Sequence, residues 1–276
     1  PSLSWPAVDG AALYAVQRDG VEVARTAATS WAESGAPADG SHAYRLVAID
    51  AAGNASVASE ASSVVVDTAA PEAPTVSADS PTRTGPVLSW DAIAGASSYA
   101  VERDGDRVTT TAGTSFSDSS ALELADGEHV YRVVAVDEAG NESAPSDAVT
   151  VTVDRIAPDA PAAPSATSPT AGSPSLSWPS IDGAVRYRVL RDGSVVATTT
   201  SAAWSDADVA EGSYVYAVVA VDAAGNASDP GAASTVVVDR TAPDAPAEPT
   251  AVASPTRAAP SLSWPAVDGA ALYAVQ

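Results

Sequence analysis

The sequence has 276 residues, a formal net charge of −22 and no cysteine, and all thirteen of its basic residues are arginine. The acidity argues against partners such as nucleic acid or an anionic membrane surface, because binding to both depends on Lys and Arg. The missing Cys and Lys exclude disulfide, thioester and isopeptide cross-links, so packing, proline-rich linkers or bound ions must provide the stability. No apolar stretch approaches the roughly 20 residues that span a bilayer, so we expect no direct membrane insertion.

Two short motifs recur along the chain and define its period. Leu-Ser-Trp ends at Trp5, Trp90, Trp178 and Trp264. Ala-Gly-Asn ends at Asn54, Asn141 and Asn226. Both repeat every 85 to 88 residues, which predicts three modules and the start of a fourth. The predicted domains are residues 1–70 (first strand missing), 71–157, 158–242 and the opening strands of a fourth module at 243–276.

The second module shows the predicted elements in order. Residues 87–90 mark a strand, and Tyr99, Val101 and Arg103 alternate with Ala100 and Glu102 in the period of two expected of a half-buried strand. Asp104-Gly105 supplies the positive φ angles of a tight hairpin turn. The longest strand candidate covers residues 129–136 and ends at the loop Asp137–Asn141. Because no segment has a helical period and turn signals separate the short strands, the pattern predicts an all-β sandwich.

The order of these motifs carries a family resemblance. Leu-x-Trp, Tyr-x-Val-x-Arg-Asp-Gly, Thr-Ser-aromatic and Val-x-Ala-x-Asp-x-Ala-Gly-Asn resemble bacterial fibronectin type III and bacterial Ig-like repeats over essentially the whole chain. The resemblance implies tandem seven-stranded antiparallel sandwiches arranged as beads on a string. It would place Trp90 on strand B, Tyr99 on C, Phe116 on E, Tyr131 on F and Val149–Val153 on G.

One position departs from the family pattern. Strand F of the family carries a Tyr whose hydroxyl bonds back to the main chain, and this sequence has His42, His129 and Tyr214 there. An imidazole can donate a similar bond, so we interpret the two histidines as structural. Since they occupy one equivalent position in separate copies, they do not form a catalytic triad with Ser and Asp, and we predict that the chain is not an enzyme.

Three aromatic residues admit two interpretations. Trp31, Phe116 and Trp204 occupy equivalent positions, where they form either a platform for sugar rings or part of the core. Core packing is favoured, because aromatic side chains supply most of the buried volume in so small a sandwich.

The strongest candidate site is acidic and lies at the linkers. Each linker reads Val-Asp-x-x-Ala-Pro-acid-Ala-Pro, and the last strand delivers it to the Asp-x-x-Gly-Asn loop of the following module, where Asp39 or Asp126 of the preceding module could join. Carboxylate and amide oxygens are the ligands that calcium prefers, so the pattern predicts calcium as the one cofactor. The alternative is that Asp caps a strand end and Pro stiffens the linker. The candidate metal ligands are Asp67, Glu72, Asp137, Asn141, Asp154, Asp159, Asp222 and Asn226.

A longer repeat indicates the function. Residues 1–17 recur unchanged at 260–276, so we expect a window from a longer array built of three-module blocks. This favours a structural stalk or fibre of an extracellular bacterial surface protein, either an adhesin or a surface filament. The partners expected are neighbouring modules and, through self-assembly into filaments, further copies. The alternative is a set of spacer domains in a secreted polysaccharide hydrolase. Both functions place the chain outside the cell.

Overall fold

The computed structural model describes residues 1–118, 124–251 and 261–275. All regular structure in these ranges is β-strand paired in antiparallel sheets, as the repeat pattern predicted. No helix in the described part is long and apolar enough to cross a membrane. The chain divides into two compact units, Pro1–Val153 and Asp154–Gln276, and each is described by itself.

The first unit begins with six strands. The first strand pairs with the fourth, and the other four form a sheet in the order β3-β2-β5-β6. The strands are β1 (Ser2–Ser4), β2 (Ala11–Arg18), β3 (Val21–Thr26), β4 (Ser30–Ala32), β5 (Gly40–Asp50) and β6 (Ser62–Val66).

Seven strands follow in the same unit, the number that the family resemblance implied. They form a three-stranded sheet in the order β11-β8-β7 and a four-stranded sheet in the order β10-β9-β12-β13. Trp90, Tyr99, Phe116 and Tyr131 lie on the strands predicted for them. The strands are β7 (Val76–Ala78), β8 (Val87–Trp90), β9 (Ala96–Arg103), β10 (Asp106–Thr111), β11 (Ser115–Ser117), β12 (Gly127–Asp137) and β13 (Val149–Val153).

The second unit repeats this plan. A two-stranded sheet β14-β17 accompanies a four-stranded sheet β16-β15-β18-β19, and β20 pairs with β21. Ser165 bridges Ser177 in the place where β7 pairs with β8 in the first unit. The strands are β14 (Ser175–Ser177), β15 (Arg186–Arg191), β16 (Ser194–Thr199), β17 (Ala203–Ser205), β18 (Gly212–Val221), β19 (Ser234–Val238), β20 (Thr250–Ala251) and β21 (Leu262–Ser263). The module limits drawn from the sequence stay a prediction.

The Asp-Gly pairs form the hairpin turns that the sequence predicted. Asp104 and Gly105 have φ angles of 53° and 94°. Such left-handed geometry suits Gly and is tolerated by Asp, and it matches the twist of the strands that the turn joins. The equivalent Asp19 and Asp192 have φ angles of 51°, so the turn is a repeated feature.

The core of the second module lies between its two sheets. Trp90 packs edge-on against Tyr99 with ring centroids 5.5 Å apart, and Tyr131 is fully buried beside them. The Tyr99 hydroxyl accepts a hydrogen bond of 2.8 Å from the main-chain N–H of Ile93, which ties the loop before β9 to the core.

The predicted alternation along residues 99–103 is wrong at one position. Ala100 is as buried as Val101, although the period of two predicted that Ala100 lies on the solvent-exposed face of the sheet. Thr110 and Val134 stand directly opposite Ala100 on the two flanking strands. Because the alanine side chain is a single methyl group, these longer neighbours shield it from solvent.

Candidate functional site

Each linker begins with a turn that its own aspartate makes. Asp67 directly follows β6, and its Oδ1 accepts a 3.0 Å bond from the N–H of Ala69. Asp154 directly follows β13, and its Oδ1 accepts a 2.9 Å bond from the N–H of Ile156. An aspartate bonded to the main chain two residues on forms an Asx-turn. One carboxylate oxygen of each linker aspartate is therefore already used locally.

The structure brings the linkers at Asp67 and Asp154 to the loops of the sandwiches that follow them. The side-chain amide Nδ2 of Asn141 donates to the main-chain oxygen of Asp67 at 3.1 Å. In the second unit, Nδ2 of Asn226 donates to the main-chain oxygen of Asp154 at 2.9 Å. The pairing of linker and loop follows the predicted scheme, but the linker contributes its backbone to these bonds.

The loop aspartates bind the asparagines of their own loops. Asp137 Oδ2 accepts from Asn141 Nδ2 at 2.7 Å, and Asp222 Oδ2 accepts from Asn226 Nδ2 at 2.9 Å. This bond, followed by bonds from the loop N–H groups, outweighs desolvation and lowers the pKa of Asp137 below its ordinary value. Asp137 therefore stays ionised, and its carboxylate accepts bonds throughout the neutral pH range.

The remaining candidate ligands make fewer contacts with the linkers and loops. Glu72 and Asp159 are exposed, and no hydrogen bond or ion pair joins them to these loops in the described ranges. Asp39 does reach the linker, where its Oδ1 accepts from the N–H and the hydroxyl of Thr68 at 2.8 and 2.7 Å.

These contacts test how well the linker suits calcium. Among the residues that the structure describes, no group of three or more His, Cys, Asp or Glu side chains is close enough to hold a metal. Calcium takes 6 to 8 oxygen ligands, whereas the four candidate aspartates Asp67, Asp137, Asp154 and Asp222 already accept bonds from N–H groups. The calcium site stays a prediction, and the geometry of the acid side chains gives it little support.

A buried cluster of Arg, acid and Tyr escaped the prediction from sequence. Asp118 is 1% exposed, and its Oδ2 accepts from the Arg103 guanidinium at 2.6 Å and from the Tyr131 hydroxyl at 2.8 Å. Burial, followed by the bond to Asp118, raises the pKa of Tyr131. The signal was present in the repeats, because an acid stands two residues after each of the aromatics Trp31, Phe116 and Trp204.

The same cluster occurs in the other modules. Asp206 binds Arg191 and Tyr216 at 2.6 and 2.8 Å, and Glu33 binds Arg18 and Tyr44 in the first module. The aromatic neighbours of these acids are half-buried against the core. Trp31, for instance, packs against Tyr44 with ring centroids 6.4 Å apart. The arrangement fits the core interpretation of these aromatics better than an exposed sugar platform.

Comparison with known proteins gives relatives among bacterial enzymes. The chain is 35% identical over 246 residues to Exoglucanase B of Cellulomonas fimi, which covers 81% of this chain and 22% of the relative. It is 34% identical over 192 residues to Chitinase A1 of Niallia circulans, covering 64% of this chain and 27% of that one. The chain thus spans only about a quarter of the length of these curated relatives.

Other comparisons concern family models and solved structures. No family model matches the chain. Fibronectin(III)-like modules of Clostridium thermocellum CbhA align with a TM-score of 0.40 and 19% sequence identity, over 59% of this chain and 94% of that one.

The sheet order of the second module agrees with the motif order. Strands β7, β8 and β11 form one sheet, and β10, β9, β12 and β13 form the other. The two sheets hold seven strands with Trp90 on the second of them, which agrees with the arrangement that the resemblance to fibronectin type III modules implied. The chain has the fold of tandem fibronectin type III-like sandwiches.

The histidines of these fibronectin type III-like modules replace the tyrosine corner. His129 Nε2 lies 3.1 Å from the main-chain oxygen of Ala125, and its Nδ1 lies 2.8 Å from Asp104 Oδ2. His42 makes the same pair of bonds, to Ala38 and Asp19, at 2.7 Å each. The predicted bond from imidazole to backbone is confirmed.

Both neighbours of each imidazole accept hydrogen bonds, so both ring nitrogens should carry a proton. The Asp104 carboxylate, followed by the Ala125 carbonyl, raises the pKa of His129 above its ordinary 6.5. The Ala38 carbonyl, followed by the Asp19 carboxylate, raises the pKa of His42 in the same way. The protonated histidines therefore stabilise the fold.

This protonation predicts a pH dependence of stability. A raised pKa in the folded state contributes stability that is complete below about pH 6.5 and is lost as pH rises through the folded value. We expect the melting temperature of the first unit to fall as the pH rises above about 6.5 and passes through the raised pKa values of the two histidines. The double variant His42→Tyr and His129→Tyr, which copies Tyr214 of the third module, should lose most of this dependence.

The measurement is calorimetric melting of the parent and the double variant across that range. The second unit carries Tyr214 at this position and serves as an internal control. Equal slopes for parent and double variant would show that the imidazoles are neutral in the fold.

Proposed function

We propose that the array is a non-catalytic spacer of a secreted, extracellular bacterial polysaccharide hydrolase, where it separates the catalytic domain from another domain. One observation carries the proposal. The array aligns with Exoglucanase B over 81% of its own length but accounts for only 22% of that enzyme. An array that makes up a minor part of a larger enzyme is suited to connecting its other parts.

The contacts that the polar side chains make support a non-catalytic role. The two histidines bind backbone oxygens and turn aspartates, and the buried acids Asp118 and Asp206 bind Arg and Tyr. Catalytic groups need a position from which they can reach substrate. These groups instead hold strands and turns together within each module.

The surface stalk is the second candidate, and one observation favours it. Residues 1–17 recur unchanged at 260–276, as expected of a long array of blocks. The exoglucanase and chitinase relatives favour the spacer more strongly, which reverses the order that the sequence alone suggested. The exoglucanase and chitinase relatives give no support to an adhesin or a filament.

The decisive experiment uses the complete protein that contains this array. We expect a glycoside hydrolase domain in it, and deletion of the array should lower hydrolysis of insoluble cellulose or chitin severalfold. Hydrolysis of a soluble oligosaccharide by the same variant should be unchanged, because the catalytic domain is intact.

A matched variant keeps the spacing and removes the sequence. Replacing the array by unrelated β-sandwich modules of the same number should restore activity on the insoluble substrate. A complete protein with many blocks, a cell-wall anchor and no catalytic domain would contradict the spacer and support the stalk.

A further inference from the structure

One loop occurs three times in the described residues with the same internal bonds, and we name it the Asp–Asn loop. Its copies are Asp50–Asn54, Asp137–Asn141 and Asp222–Asn226. In each copy the first aspartate accepts from the main-chain N–H of the asparagine at 2.8 Å. In each copy it also accepts from the asparagine Nδ2, at 2.7 to 2.9 Å. These two bonds fix the asparagine amide in one orientation.

The fixed amide has a second hydrogen to donate. In two copies that hydrogen is directed at the main-chain oxygen of a linker aspartate, Asp67 or Asp154. Asn226 lies also 3.5 Å from the main-chain oxygen of Ile156. Because the acceptor is backbone, the contact does not depend on the linker side chains. It depends on where the linker runs relative to the loop.

The three copies keep the same internal geometry although their exposure differs. Asn54 is exposed, whereas Asn141 is half-buried and Asn226 is buried. The two bonds between Asp50 and Asn54 are 2.8 Å each, close to the 2.7 to 2.9 Å of the other copies. The shape of the loop therefore follows from its own bonds, so little conformational entropy is lost when the linker docks.

We propose that the Asp–Asn loop is a preformed receptor for the backbone of the preceding linker, and that Asn141 thereby holds the second module in a fixed orientation on the first. Asp67 directly follows β6, the last strand of the first module, so the sheet of that module fixes the position of the Asp67 carbonyl. The bond from Asn141 connects that carbonyl to the end of β12 in the second module. The inference concerns the joint alone and holds for a spacer and for a stalk.

The test is the measurement of residual dipolar couplings on the full chain. The parent should give one alignment tensor shared by residues 1–66 and 76–153. Asn141→Ala should give two different tensors, because the modules then reorient independently. Asn54→Ala is the matched control: it removes the same amide from the loop of the first module, away from the Asp67 linker, and it should leave the shared tensor intact.

Two further measurements separate the proposal from its competitors. Asn141→Asp keeps the size of the side chain but places a carboxylate against the Asp67 carbonyl, so it should also separate the tensors. The parent should keep its shared tensor in chelator. Loss of the shared tensor in chelator together with its retention in both Asn141 variants would overturn the proposal in favour of calcium. A shared tensor in the parent, in chelator and in both Asn141 variants would also overturn the proposal, because proline and packing would then hold the two modules together.

Discussion

Replacing Trp90 by Ala should lower the unfolding free energy of the second module by about 3 to 5 kcal/mol. The indole is 6% exposed and packs edge-on against Tyr99. Its removal leaves a cavity that the rigid sheets on either side fill only in part. A sandwich of this size has a small free energy of unfolding. Because Trp90→Ala removes much of it, the second module should be largely unfolded at physiological temperature.

Urea denaturation followed by NMR of each module would measure this loss. Val87 lies on the same strand but is 56% exposed, so Val87→Ala is the matched control and should change stability by less than about 0.5 kcal/mol. Trp90→Phe should cost less than Trp90→Ala, since the indole N–H has no hydrogen-bond partner among the described residues. A Trp90→Ala variant that melts like the parent would mean that this strand is misplaced.

Replacing Asp118 by Ala should destabilise the second module by about 3 kcal/mol. The carboxylate is the shared acceptor for Arg103 and for the buried Tyr131 hydroxyl. Its removal leaves a cation and a phenol in the interior without that acceptor, which costs more than the pair contributes. The Arg103 side chain is 21% exposed and can reach water, so the lower end of the usual range applies.

A second substitution tests the cause of this loss. Adding Arg103→Met to Asp118→Ala removes the buried charge that has lost Asp118, so the double variant should be more stable than Asp118→Ala alone. The comparison is made by urea denaturation at constant pH and salt. A double variant less stable than the single one would show that Arg103 acts through packing and not through its charge.

The candidate site shows why sequence spacing stops short of a mechanism. The repeat period and the strand directions correctly brought the linker at Asp67 to the loop at Asn141. The choice between a metal and a hydrogen bond depended on atoms that a sequence does not orient. The Asx-turn at Asp67 and the bonds from Asn141 to Asp137 direct these oxygens toward N–H groups.

The sequence by itself determined the all-β class, the repeated sandwich and its hairpin turns, because period-two strands and Asp-Gly turns are local properties of the chain. Tertiary structure decided what depends on distant neighbours. The burial of Ala100 follows from the residues opposite it, and the cluster at Asp118 joins residues from three separate strands or loops. Tertiary structure also decided the contact between Asn141 and the linker carbonyl of Asp67. Every residue has a backbone carbonyl, and that carbonyl accepts a hydrogen bond from a side-chain amide only where folding places the two together.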